Sequence, residues 1–301
     1  MGSNSIPFSI LPTSNVFSAF NNSLIGTSFS HSLQASHANG LSVVTTNGAQ
    51  PFVIPPPPPP PPIVLGANGV TVQYTLPAIS TGPNPTFVQA NLRGTGSEWF
   101  AVVDQTFNQT IMSYANQNSG NYAASVATFT PPGQSSPVIF NNIVTTLMTD
   151  MSFMFSSAFT FNAPIGSWDV SNVLNMSYMF NSAFSLKQDI SNWNVLNVKY
   201  MSYMFTNANS FNGDISNWNV SNVYTMDWMF YGAFSFNNNG NPNIGNWNTF
   251  NVQNMSTMFH DAWVFNQNIS MWPVFNVTNH SSFNGGASGL NPLYIPNWVS
   301  P

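Results

Sequence analysis

The sequence has no cysteine and almost no charge. Without cysteine there is no disulfide framework and no thiol chemistry. Only 4% of residues are charged, against roughly 25% in soluble domains generally. The basic residues are Arg93, Lys187 and Lys199; the acidic ones are Glu98, Asp104, Asp150, Asp169, Asp189, Asp214, Asp227 and Asp261. A net charge of −5 spread so thinly gives no footprint for nucleic acid. It also removes the repulsion that keeps neighbouring molecules apart, which favours life in an assembly. An oxidising or glycosylated exterior, where uncharged surfaces are tolerated, is the other reading. No apolar run is long enough to span a membrane. The N-terminus, Met1-Gly2-Ser3-Asn4-Ser5-Ile6, has no basic start or apolar core, so no secretory signal is expected there. Pro301 follows the last Trp so closely that no anchor is expected either.

What the chain has instead is a tandem repeat from Met151 onward. Met151, Met154 and Phe155 recur as Met176, Met179, Phe180; Met201, Met204, Phe205; Met226, Met229, Phe230; and Met255, Met258, Phe259. A worn sixth copy starts at His280 and keeps Phe283. Trp168, Trp193, Trp218, Trp247, Trp272 and Trp298 mark the same phase. The step is 25 residues, except for 29 where 237–243 carry an insertion. Such periods signal stacked repeats. Met176, Met179, Phe180 and Ala183 fall at i, i+3, i+4 and i+7, which predicts a short helix with one buried face. Asp150 and Asn175 stand where its N-caps belong. Trp193, Val195, Asn197 and Val198 read as a short strand bending into a turn, the Asn bonding its own bend. Stacking predicts one parallel ladder from Val170, Val195, Val220, Thr249 and Val274, and another from Asn172, Asn197, Asn222, Asn251 and Asn276. The Met and Phe residues, with Trp193, Trp218 and Trp247, are expected to form a continuous core rather than a metal or cofactor box.

The motif Met-Ser-Tyr-Met-Phe followed by Asn-Trp-Asn-Val-Ser-Asn-Val, at 201–223, resembles the BspA-type leucine-rich-repeat surface proteins of bacteria, mycoplasmas, protists and large DNA viruses. The resemblance covers roughly 148–298. It implies an α+β solenoid, a short parallel β-ladder with short helices, and a binding or adhesion role without catalytic residues. The segment from Gly94 to Asn142, with Glu98-Trp99-Phe100 and Pro131-Pro132-Gly133, is similar to the leader before such repeats in large-virus copies.

Ahead of the repeats, residues 1–54 are rich in Ser, Asn and Thr yet carry Phe8, Leu11, Phe17 and Phe20. They form either a disordered tail or an arm that orders on a partner. Pro55 to Pro62 make a polyproline II rod about 25 Å long. It acts as a stiff spacer or as a ligand for an aromatic groove. Residues 63–147 are expected to be a small α+β capping domain. It should hold a strand through Val70, Val72, Tyr74 and Leu76, a second strand at 86–89, and a helix at 97–116 capped by Ser97. Residues 148–301 are the repeat body.

Chemistry is sparse. His31, His37, His260 and His280 show no metal spacing. Asp189 and Asp214 share one repeat position; they are a weak Ca²⁺ candidate, a proton-sharing pair, or two loop residues bonding their own turns. Asn-x-Ser/Thr sequons such as Asn175 and Asn219 arise readily in so Asn-rich a chain, and glycosylation is not expected. No cofactor is expected. The expected protein is a non-enzymatic structural component of a large-virus particle, capsid-associated or surface, whose partners are itself and other structural proteins. A cell-surface adhesin binding a host protein or glycan is the alternative, and a glycan-cleaving enzyme built on Asp189 and Asp214 the least favoured.

Overall fold

The computed structural model describes residues 62–76, 84–115 and 128–298. The arm residues Phe8, Leu11, Phe17 and Phe20, and the polyproline rod up to Pro61, lie outside the described residues. The chain divides into two units, Met1–Pro60 and Pro61–Pro301, and the described residues all belong to the second. The class of that unit is α+β, with few helices and short strands.

Strands β1 (Ile63–Leu65) and β2 (Val72–Tyr74) pair antiparallel. Strands β3 (Thr86–Ala90), β4 (Glu98–Asp104) and β5 (Ile143–Leu147) form a second sheet, in which β3 is antiparallel and β5 parallel to β4. The helix expected at 97–116 is therefore a strand for its first third. Phe100, Ala101, Val102 and Val103 are buried in succession, and an unbroken buried run suits a strand covered on both faces. Ser97 caps nothing; Asp104 accepts from the Thr106 N–H at 2.9 Å and starts a 3-10 turn. Helix α1 (Asn108–Ala115) follows, burying Ile111, Tyr114 and Ala115. The first expected strand shortens to Val72–Tyr74, leaving Val70 and Leu76 exposed.

In the repeats the expected helices and Val ladder are replaced by turns. Met176, Met179, Phe180 and Ala183 are all buried, but no helix joins them. The third and seventh residues of each copy take left-handed backbone, as at Tyr178 (φ 60°) and Ser182 (φ 58°). That conformation ends right-handed helix geometry wherever it occurs. The amide hydrogen bonds consequently alternate. Met179 and Asn181 donate back to Met176 and Tyr178, at 3.2 and 3.1 Å, closing local turns. Met176, Tyr178, Phe180 and Ser182 donate forward to Tyr200, Ser202, Met204 and Thr206 of the next copy, at 2.7–2.9 Å. Parallel bridges link Asp150, Asn175, Tyr200, Thr225, Asn254 and Asn279, the residues just before each copy, and not the Val positions. Val195 and Val220 are buried, yet Val198 donates to Val195 at 2.9 Å and turns the chain before a strand can extend.

Side chains reinforce the register. The indole N–H groups of Trp193, Trp218, Trp247 and Trp272 donate to Ile165, Ile190, Ile215 and Ile244 one copy back. Asn197 and Asn222 do not bond their own bend. Their amides donate to the carbonyls of Ser171 and Leu196, at 2.7 and 2.8 Å. Inside, Phe155, Phe180, Phe205, Phe230 and Phe259 stack at 5.4–5.5 Å. At the first copy, Gln105 donates to the Asp150 carbonyl at 2.6 Å and accepts from Thr149 and Asp150. Groups that have no preceding copy to bond thus find a partner.

Candidate interaction surface

In every copy but the fifth, where Thr257 is buried, the left-handed residue at the third position places its side chain outside the core. In four successive copies it is aromatic: Phe153, Tyr178, Tyr203 and Trp228. Backbone bonding to the next copy holds the rings in register. Their centroids lie 4.5, 4.4 and 5.4 Å apart with interplanar angles of 7–8°. Tyr231 and His260 extend the line at 4.7 and 5.4 Å. Phe153 is 48% exposed and the next three rings are half-buried. Because each ring covers its neighbour's face, the line offers solvent its edges and hydroxyls. Partial burial raises the Tyr203 hydroxyl pKa above its ordinary value, with Tyr178 and Asp227 acting in the same direction. Ser202 donates to Asp227 at 2.6 Å and ties that carboxylate to the adjoining copy.

A second exposed line runs at the ninth position, as Phe159, Phe184, Asn209, Phe234 and Trp263. Phe159 stacks on Phe184 and Phe234 on Trp263, at 5.0 and 4.1 Å. Both lines stand in the sequence as aromatics recurring at the repeat step, the second broken at Asn209 and stretched to 29 residues between Phe234 and Trp263. A helical reading of the repeat hides them, because it assigns those positions only to a solvent-facing side.

The paired aspartates have unlike surroundings. Asp189 and Asp214 each accept from the serine amide two residues on, at 2.9 and 3.0 Å. The insertion then folds over the third copy: buried Asn238 accepts from the Ile215 amide at 2.9 Å, and Asn241 donates to Asp214 at 2.7 Å. Burial alone raises the Asp214 pKa, but the bonds from Asn241 and Ser216 outweigh it and hold the carboxyl below its ordinary value. Asp189 stays exposed without such a cover. Among the described residues, no three His, Asp or Glu side chains converge as metal ligands would. His260 meets Asp261 at 3.2 Å, and the His280 ring stacks on Trp298 at 4.3 Å. A groove of about 420 Å³ lined by 62–65 and 88–92 contains no ionisable side chain.

Two stretches, 134–242 and 239–299, match the family described as "Mycoplasma protein of unknown function, DUF285". No curated protein and no solved structure matches the chain. The family match agrees with the likeness to BspA-type surface repeat proteins. Its two stretches together take in more than half of the residues, and the chain belongs to the DUF285 family.

Proposed function

We propose that this chain is a non-enzymatic structural and interaction protein. Its copies stack into a solenoid that docks on other structural proteins, or on further copies of itself, within a larger assembly. The observation that carries this reading is the solvent-facing line Phe153, Tyr178, Tyr203 and Trp228. Aromatic residues are enriched at the centres of protein interfaces, and here they lie preordered on a body with almost no charge to repel a neighbour. In this reading residues 1–54 are the tether that joins the body to its assembly, and the assembly is the particle of a large DNA virus. The likeness of 94–142 to the leader of virus copies supports that location. Quantitative mass spectrometry of purified particles tests it: a stoichiometric structural component is expected, and recovery only in soluble fractions overturns it. The likeness to BspA-type surface proteins, with which the family match agrees, supports a second location, the surface of a cell, where the same body serves as an adhesin. Surface labelling of intact producing cells separates the two.

A further inference from the structure

The groove lined by 62–65 and 88–92 lies against β1 and β3, each the last strand of its sheet. Antiparallel bonding alternates sides along a strand. Gly66 donates to Thr71 at 2.7 Å and Thr75 to Pro62 at 3.0 Å, so in this register Val64 and Gln73 are the bonded pair between them. The N–H and C=O groups of Ile63 and Leu65 therefore turn away from β2, and no partner among the described residues takes them up. An extended peptide offers such an edge alternating donors and acceptors; a compact apolar ligand leaves it unpaired. Leu65, Val88, Ala90 and Leu92 line the groove, half-buried against the cluster around Phe100. The side chains that fit are therefore apolar.

The chain carries one such peptide. Phe52-Val53-Ile54 is the only run of three large apolar side chains in residues 1–54. Two of the three are β-branched, which suits a strand. Pro51 and Pro55 bound the run. Pro55 biases Ile54 to extended backbone, and neither proline donates an amide that would carry pairing further. The run matches β1, which is also three residues long. It does not reach the groove of its own chain. That groove starts at Pro62, and eight consecutive prolines favour polyproline II, which sets Ile54 about 25 Å away. The groove of a second molecule carries no such restriction.

We propose that Phe52-Val53-Ile54 of one copy inserts beside β1 in the groove of a second copy. The proposal rests on the reading of 1–54 as the tether and names where the tether docks. The test uses the full chain, with sedimentation measuring association. Val53→Asp brings a charge to an uncharged groove and is expected to weaken association by about tenfold or more. Leu65→Pro deletes the edge amide, spares the Val64–Gln73 bonds, and is expected to weaken it comparably with little change in Tm. Mixed together, the two variants are expected to pair, because one keeps the groove and the other the peptide. The Leu65 amide is expected to exchange with solvent more slowly in the parent than in Val53→Asp, a readout that leaves the groove unaltered. The proposal is overturned if that exchange is the same in both, if Val53→Asp associates as the parent does, or if the folded variants do not pair. Phe17→Asp combined with Phe20→Asp separates it from the wider reading. If that double variant alone dissociates the assembly, the tether stands and its docking through Phe52–Ile54 falls. If neither it nor Val53→Asp alters the assembly, both fall.

Discussion

The indole N–H of Trp218 donates to the carbonyl of Ile190, 3.1 Å away in the preceding copy. Both residues are buried, so this bond ties two copies together where water offers no substitute. Trp218→Phe keeps a large ring but deletes the donor. It is expected to cost about 1–3 kcal/mol, the penalty for leaving a buried carbonyl unpaired. Urea unfolding measures it, and a loss below about 0.5 kcal/mol would show that the carbonyl finds another partner.

Phe205 sits between Phe180 and Phe230 at 5.5 Å on either side and packs on Phe211 at 4.2 Å. Phe205→Ala is expected to cost about 3–5 kcal/mol. A cost under about 1 kcal/mol in the same unfolding experiment contradicts its place in the core.

Ser157 is exposed and held at φ 61°. Two other copies place glycine at this position, as Gly232 and Gly286. Ser157→Gly relieves left-handed strain but raises the chain entropy of the unfolded state, and a net gain of about 0.5–1 kcal/mol is expected. Thermal unfolding that shows a lower Tm would contradict the backbone assignment.

Asp214 has its pKa depressed in the folded state by Asn241 and Ser216, which outweigh the opposing effect of burial. A depressed carboxyl contributes stability above its unfolded pKa of about 3.9, and that contribution fades as pH falls through the folded value. Asp214→Asn is therefore expected to flatten the acid limb of the stability curve below about pH 4. Urea midpoints measured across that range decide it; identical acid limbs for parent and Asp214→Asn would contradict the Asn241 contact.

How far the sequence alone reaches differs between the buried and exposed sides of the repeat. The spacing of Met176, Met179, Phe180 and Ala183 identifies one buried face because burial follows the side chain whatever the backbone does. It does not identify the backbone. A turn with left-handed residues at Tyr178 and Ser182 buries the same four positions as a helix, and Tyr, Trp and Thr at φ near 60° carry no warning such as glycine gives. The Asn197 bond misleads in a related way: the same side chain serves a local Asx turn through its carbonyl oxygen or a bond to Ser171 one copy away through its NH2, and spacing does not tell them apart. At 97–116 the four-residue spacing of Val103, Phe107, Ile111 and Ala115 competes with the unbroken apolar run at 99–103, and that run belongs to a strand. The break in the second aromatic line at Asn209 is legible as a departure from Phe in the neighbouring copies.

The central claim is that each copy passes alternate backbone hydrogen bonds to the next. The Phe205 amide donates to the Met229 carbonyl at 2.9 Å in the following copy, where a helix would send it to Met201. Scalar coupling across the hydrogen bond, measured by NMR on isotope-labelled protein, distinguishes the two acceptors directly. The account predicts a correlation from the Phe205 nitrogen to the Met229 carbonyl carbon; a correlation to Met201 would contradict it.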